Sequence, residues 1–147
     1  MSKINETEIK VRYAETDRMG VVHHSRYYPW FEVGRTELFA SSGKTYGDME
    51  ASGVMMPLVE TRCRYIIPAR YEDVLTIKTL IKNLSPVKIE FEYEVIRKKD
   101  SVLLARGYTL MAFTNLEFKP VNLKKHSPDF WDYIVKLKEK IDNEMNC

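Results

Sequence analysis

Residues 13–35 read Tyr13-Ala-Glu15-Thr-Asp17-Arg-Met-Gly20-Val-Val22-His23-His24-Ser25-Arg-Tyr27-Tyr28-Pro29-Trp30-Phe31-Glu32-Val-Gly34-Arg35. Just before them, Ile9, Val11 and Tyr13 alternate with Glu8, Lys10 and Arg12, so a strand is expected to end near Tyr13. A polar loop with a carboxylate and a glycine follows. A helix is then predicted over residues 25–41, because Tyr27, Trp30 or Phe31, Gly34 and Leu38 fall on one face. Ser25 is the expected N-cap and Gly43 the expected C-cap. Past the first turn Pro29 would remove a needed donor, so the helix is expected to start a residue or two after Ser25.

Outward from this segment the pattern changes to period two. Val59, Thr61, Cys63, Tyr65 and Ile67 alternate with Glu60, Arg62 and Arg64. Leu75, Ile77, Thr79 and Ile81 alternate with Thr76, Lys78 and Lys82, and Val87, Ile89, Phe91, Tyr93 and Val95 with Lys88, Glu90, Glu92 and Glu94. Each run predicts a strand with one wet face. Residues 102–113 are apolar on both faces, which predicts a strand covered on both sides. Ser85-Pro86 and Asp100-Ser101 mark turns. A second helix is predicted over 128–144, with Ser127 as cap, Pro128 at the first position and Phe130, Ile134, Leu137 and Ile141 as its apolar stripe. Strands that follow one another through short turns argue for an α+β fold over alternating βαβ units. One helix must then cover about five strands. A curved sheet wrapped around a buried helix satisfies this, and so does a sheet with helices lying flat on it.

The 147 residues are expected to form a single domain, 1–147, with a core that needs no staples. A net charge of +2, from 23 basic and 21 acidic residues, argues against a nucleic-acid partner. Cys63 and Cys147 form no disulfide framework, and the three histidines no metal cluster. No apolar leader opens the chain and no apolar run approaches the ~20 residues of a membrane span. A cytoplasmic location is expected.

Asp17 is the candidate for chemistry. A carboxylate before a helix N-terminus lies beside free N–H groups, which would polarise a carbonyl while the carboxylate attacks it or activates water. The same placement also suits a plain cap of the loop or helix.

Asp17-x-x-Gly20-Val-Val22-x-His24-x-x-Tyr27, followed by Phe31-Glu32 and Arg35, resembles the signature of hotdog-fold acyl-CoA thioesterases. This is the group of 4-hydroxybenzoyl-CoA thioesterase and the thioesterase associated with the Tol–Pal cluster. Arg64-Tyr-Ile-Ile-Pro-Ala-Arg-Tyr-Glu-Asp73 is similar to the family's central strand and turn, and the likeness runs from about Val11 to Phe118. It implies a curved antiparallel sheet wrapped around one long helix, with a C-terminal helix in addition. It also implies Asp17 as catalytic carboxylate and the main-chain N–H of His24 as the group polarising the thioester carbonyl. Gly20, Val22 and Tyr27 match recurring positions near the acyl group, and His23 reads as a pocket or interface residue. Glu15 stands where an Asp is more usual, which keeps the charge.

The resemblance further implies an acyl-CoA or acyl-acyl carrier protein substrate, no cofactor, no metal, and a homodimer or homotetramer with sites between subunits. It points to residues 82–88 for the CoA phosphates, hence Lys82 and Lys88, although Lys88 replaces a common Ser. Glu60 is a further candidate to face the site. Met55-Met-Pro-Leu58 either lines an acyl pocket or is ordinary core. Two other activities compete: a hotdog hydratase or dehydratase on acyl thioesters, and a non-catalytic acyl-CoA binding protein.

Overall fold

The computed structural model describes residues 3–146, so Cys147 lies outside it, while Cys63 is a free, half-buried thiol. The chain runs through β1 (Glu6–Lys10), two 3-10 turns (Tyr13–Glu15 and His24–Arg26), α1 (Tyr27–Ala40) and α2 (Tyr46–Ala51). It continues through β2 (Leu58–Tyr65), β3 (Val74–Leu84), β4 (Lys88–Arg97), β5 (Val102–Ala112), α3 (Leu123–His126) and α4 (Pro128–Met145). The five strands form one antiparallel sheet in the order β1-β3-β4-β5-β2. This is the α+β architecture expected, with the sheet closing on α1.

The period-two runs become the core. Leu75, Ile77, Ile81, Ile89, Phe91, Tyr93 and Val95 are buried, and α1 meets them through Tyr27, Trp30, Phe31, Gly34, Leu38 and Phe39. Two glycines set how closely helix and sheet approach. A Cβ on Gly34 would come 2.5 Å from Thr79 Oγ1, and one on Gly107 would enter the Phe31 ring. Phe31 therefore lies over the β5 backbone and stacks on Tyr93 with centroids 4.6 Å apart. On α4, Phe130, Ile134, Leu137 and Ile141 are all buried, as the stripe predicts.

Several boundaries move. The first strand ends at Lys10, because residues 13–15 turn into a 3-10 helix. α1 starts at Tyr27, two residues after Ser25, so Pro29 sits in the first turn where its missing N–H costs nothing. Ser25 is not the cap: the His23 ring accepts from the Ser25 N–H and caps the short turn that leads into α1. Ser41 caps the far end, while Gly43 at φ +96° turns the chain and donates to Ala40 O. The strands 59–67 and 75–82 are not neighbours, because β2 crosses to the opposite edge and pairs with β5. Short helices α2 and α3 add to the two helices expected. Among the described residues no helix is long and apolar enough to cross a membrane.

Candidate functional site

The loop after β1 is built around Asp17. Its N–H donates to Val21 O at 2.9 Å, its C=O accepts from Gly20 N–H at 3.0 Å, and Oδ1 accepts from Met19 N–H at 2.8 Å. Gly20 closes this turn at φ +79°, a conformation that disfavours side chains. The capping role read from the sequence is therefore real, but it occupies only one carboxylate oxygen. Among the described residues, Asp17 Oδ2 has no hydrogen-bond partner.

Val22 then pins the loop to the segment after β2. Its N–H donates to Ala69 O at 2.8 Å, and the Ala69 N–H in turn donates to the Tyr27 hydroxyl at 3.3 Å. His23 N–H donates to Glu15 O at 2.9 Å. His24 opens the 3-10 turn, where the first N–H groups have no acceptor within the helix. Among the described residues nothing accepts from the His24 N–H. Its carbonyl is held by the Tyr65 hydroxyl at 3.0 Å.

These groups meet in one pocket of about 220 Å³. The loop after β1 and the start of α1 contribute Asp17, Met19, Val21, Val22, His24 and Tyr27, and the end of β2 and the segment after it contribute Tyr65, Ile66, Ile67 and Pro68. Tyr65 stands edge-on to Tyr27 at 5.0 Å, giving the pocket an aromatic wall. Burial pushes the Tyr27 and Tyr65 phenols above the ordinary tyrosine range, so both stay neutral through neutral pH. A thioester carbonyl placed here would have a carboxylate oxygen, a free backbone N–H and an apolar wall around it.

The structure brings Asp17, Val22, His24 and Tyr27 together and leaves the other candidates outside. Gly20 shapes the turn without lining the pocket. The His23 ring is turned to Ser25, with Nδ1 2.8 Å from its Oγ, so it caps and does not line the pocket. Glu60 is exposed on β2, 3.7 Å from Arg62. Lys82 pairs with Glu92 at 3.3 Å in a separate cavity of about 620 Å³ that also holds Arg62, Arg64 and Arg106. Lys88 is exposed at the start of β4, where its backbone N–H bonds Ser85. Among Met55–Leu58, Met55, Met56 and Pro57 line a different pocket of about 140 Å³ with Tyr46 and Met49. Sequence reasoning missed the grip of Tyr65 on His24. The apolar alternation of β2 places Tyr65 in a strand but says nothing of what its hydroxyl reaches.

The family profile of the thioesterase-like superfamily matches residues 11–133. The chain belongs to the thioesterase-like superfamily. The crystal structure of a DHNA-CoA thioesterase from Staphylococcus aureus superposes on this thioesterase-like chain with a TM-score of 0.86. It is 33% identical and the match covers 95% of this chain and 93% of that one. The Bacillus subtilis (strain 168) protein YneP is 33% identical over 136 residues, 92% of this chain and 99% of its own. The acyl-CoA thioester hydrolase YbgC of Escherichia coli O157:H7 is 26% identical over 117 residues, 80% of this chain and 87% of its own. The fold is thus the hotdog arrangement of the thioesterases.

Proposed function

We propose that this chain is an acyl-CoA thioester hydrolase that uses Asp17 as nucleophile or general base and the His24 N–H to polarise the thioester carbonyl. One observation carries the reading: Asp17 and His24 line one pocket, and a carboxylate oxygen of the one and the backbone N–H of the other have no protein partner among the described residues. The thioester carbonyl is electrophilic and the CoA thiolate leaves readily, so the chain needs to supply only a nucleophile or base and an oxyanion donor. As nucleophile, Asp17 Oδ2 would attack the carbonyl carbon, expel the thiolate and leave a mixed anhydride for water to open. As base, it would take a proton from water while the water oxygen attacks. Both routes end in free acid and CoA. The Tyr65 hydroxyl fixes the turn that aims the donor, and Val22, Tyr27, Ile66 and Ile67 would receive the start of the acyl group.

The substrate is an acyl-CoA or acyl-acyl carrier protein. Lys88, exposed and without an ion pair among the described residues, is the cation proposed for the CoA phosphates. Lys82, already paired with Glu92, is the weaker candidate. The protein is read as a cytoplasmic homo-oligomer. Support comes from β2, whose residues stay half-exposed or exposed on both faces and include Leu58, Val59 and Tyr65. An open edge with apolar residues is a surface that needs cover, and a second β2 would supply it. The pocket abuts the end of that strand, so each site would lie between subunits.

The experiment is hydrolysis of acetyl-, octanoyl-, palmitoyl- and benzoyl-CoA, and of the matching acyl carrier protein thioesters, followed by a thiol reagent. Thiol release supports the reading. Loss of enoyl absorbance from crotonyl-CoA without thiol release would indicate hydration instead. A single turnover in ¹⁸O-water tests the nucleophilic route: label in the Asp17 carboxylate marks an anhydride opened by water at the Asp17 carbon.

A further inference from the structure

Glu15 takes no part in the chemistry above, yet it is the one charged residue that is buried among the described residues, at 4% exposure. A buried carboxylate is costly unless its oxygens are satisfied. Both are. Oε1 accepts from the Arg12 backbone N–H at 2.8 Å and lies 3.5 Å from Arg12 Nε. Oε2 accepts from the indole N–H of Trp30 at 3.0 Å. Trp30 is itself buried in the first turns of α1. The side chain of Glu15 thus ties the loop to the helix that packs under the sheet.

The backbone of the same residue reaches the site. Glu15 C=O accepts from the His23 N–H at 2.9 Å. On the other side, the His24 C=O accepts from Tyr65 at 3.0 Å. The peptide that carries the open His24 N–H therefore lies between an anchored amide and an anchored carbonyl. A hydrogen-bond donor assists only where it is held against the position of developing charge, and a shift of about 1 Å can cost about 100-fold.

We propose that Glu15 is a positioning residue, which through Trp30 on one side and His23 on the other fixes the direction of the His24 N–H. The proposal rests on the thioesterase reading of this pocket for its kinetic consequence, though not for the tether itself. Glu15→Gln keeps the shape but turns one acceptor into an amide NH₂, so either Arg12 or Trp30 loses its acceptor. Trp30→Phe removes the indole donor and keeps an aromatic ring in the core.

The test measures kcat and KM for both variants and for the double variant, on the acyl-CoA of the panel that the wild type turns over, per folded molecule by circular dichroism. Each single variant is expected to lose tenfold or more in kcat, with KM within twofold. The double variant is expected to lose no more than the worse single, because both cut one tether. Unchanged kcat, a loss confined to KM, or additive losses would overturn the proposal. If Glu15→Gln does not fold, Trp30→Phe alone gives the same kcat reading. The backbone amide resonance of His24 supplies a readout without activity. It should shift and exchange faster with solvent in Trp30→Phe, and an unmoved resonance would refute the tether. A wild type that hydrolyses no acyl-CoA contradicts the proposed function while leaving that resonance test in force.

Discussion

Asp17 lines the pocket, and its two oxygens differ: Oδ1 holds the turn through Met19, and Oδ2 has no protein partner among the described residues. Asp17→Asn keeps an oxygen for Met19 and removes the negative charge. It is expected to lower kcat by about 100-fold or more, the usual scale for a lost catalytic acid or base, with the melting temperature nearly unchanged. Tyr65→Phe removes only the hydroxyl that holds the His24 carbonyl at 3.0 Å. A single such bond contributes about 0.5–1.5 kcal/mol, so kcat should fall a few-fold, read in the same thiol assay. At this scale Asp17, His24 and Tyr27 stand in one contiguous stretch of sequence, and the fold brings all three to one pocket. The sequence was silent on Tyr65, which lies 41 positions from His24 and meets it only through the fold. The ring of His23, read as a pocket or interface residue, serves in this chain as a local cap, and a loop histidine beside a helix carries the same letters in either role.

Elements with a deep partner could be read directly. β3, β4, α1 and α4 each bury a regular face, and their periodicity showed it before any coordinates. β2 alternates as read, yet in this chain its inward residues Thr61 and Cys63 are only half-buried and the rest of the strand is exposed. Its alternation describes a surface shaped for contact, not one already covered. α2, Tyr46–Ala51, is too short to show a helical period and is held by the Thr45–Asp48 capping box, so its only mark in the sequence is local. The close approach of α1 to β5 gives a test at this scale. Gly107→Ala pushes a methyl group into the Phe31 ring. Overpacking of this kind costs about 1–3 kcal/mol, so the melting temperature should drop while the Asp17 pocket keeps its residues.

For the whole molecule, the buried phenols set an alkaline limit. Burial raises the Tyr27, Tyr46 and Tyr93 phenols above the ordinary value of 10.0, with Arg35 opposing the rise at Tyr46 and Tyr93. A group raised in the folded state contributes stability that is complete below its unfolded value and is lost as pH climbs toward its folded value. The melting temperature should therefore hold up to about pH 9 and fall steeply between about pH 10 and 12. A flat profile there would show that these phenols ionise without resistance. The open β2 edge predicts an oligomer at the same scale. Thr61→Pro removes a donor from the middle of that strand, and light scattering should then report smaller particles than for the wild type.

The central claim is that the Asp17 carboxylate and the His24 N–H together cleave a thioester. It is tested most directly by comparing wild type and Asp17→Asn in thiol release from the acyl-CoA panel at matched folded concentration. The expected result is steady release by the wild type with at least one member of the panel, and loss of nearly all of it in the variant. Equal release by both proteins would contradict the claim.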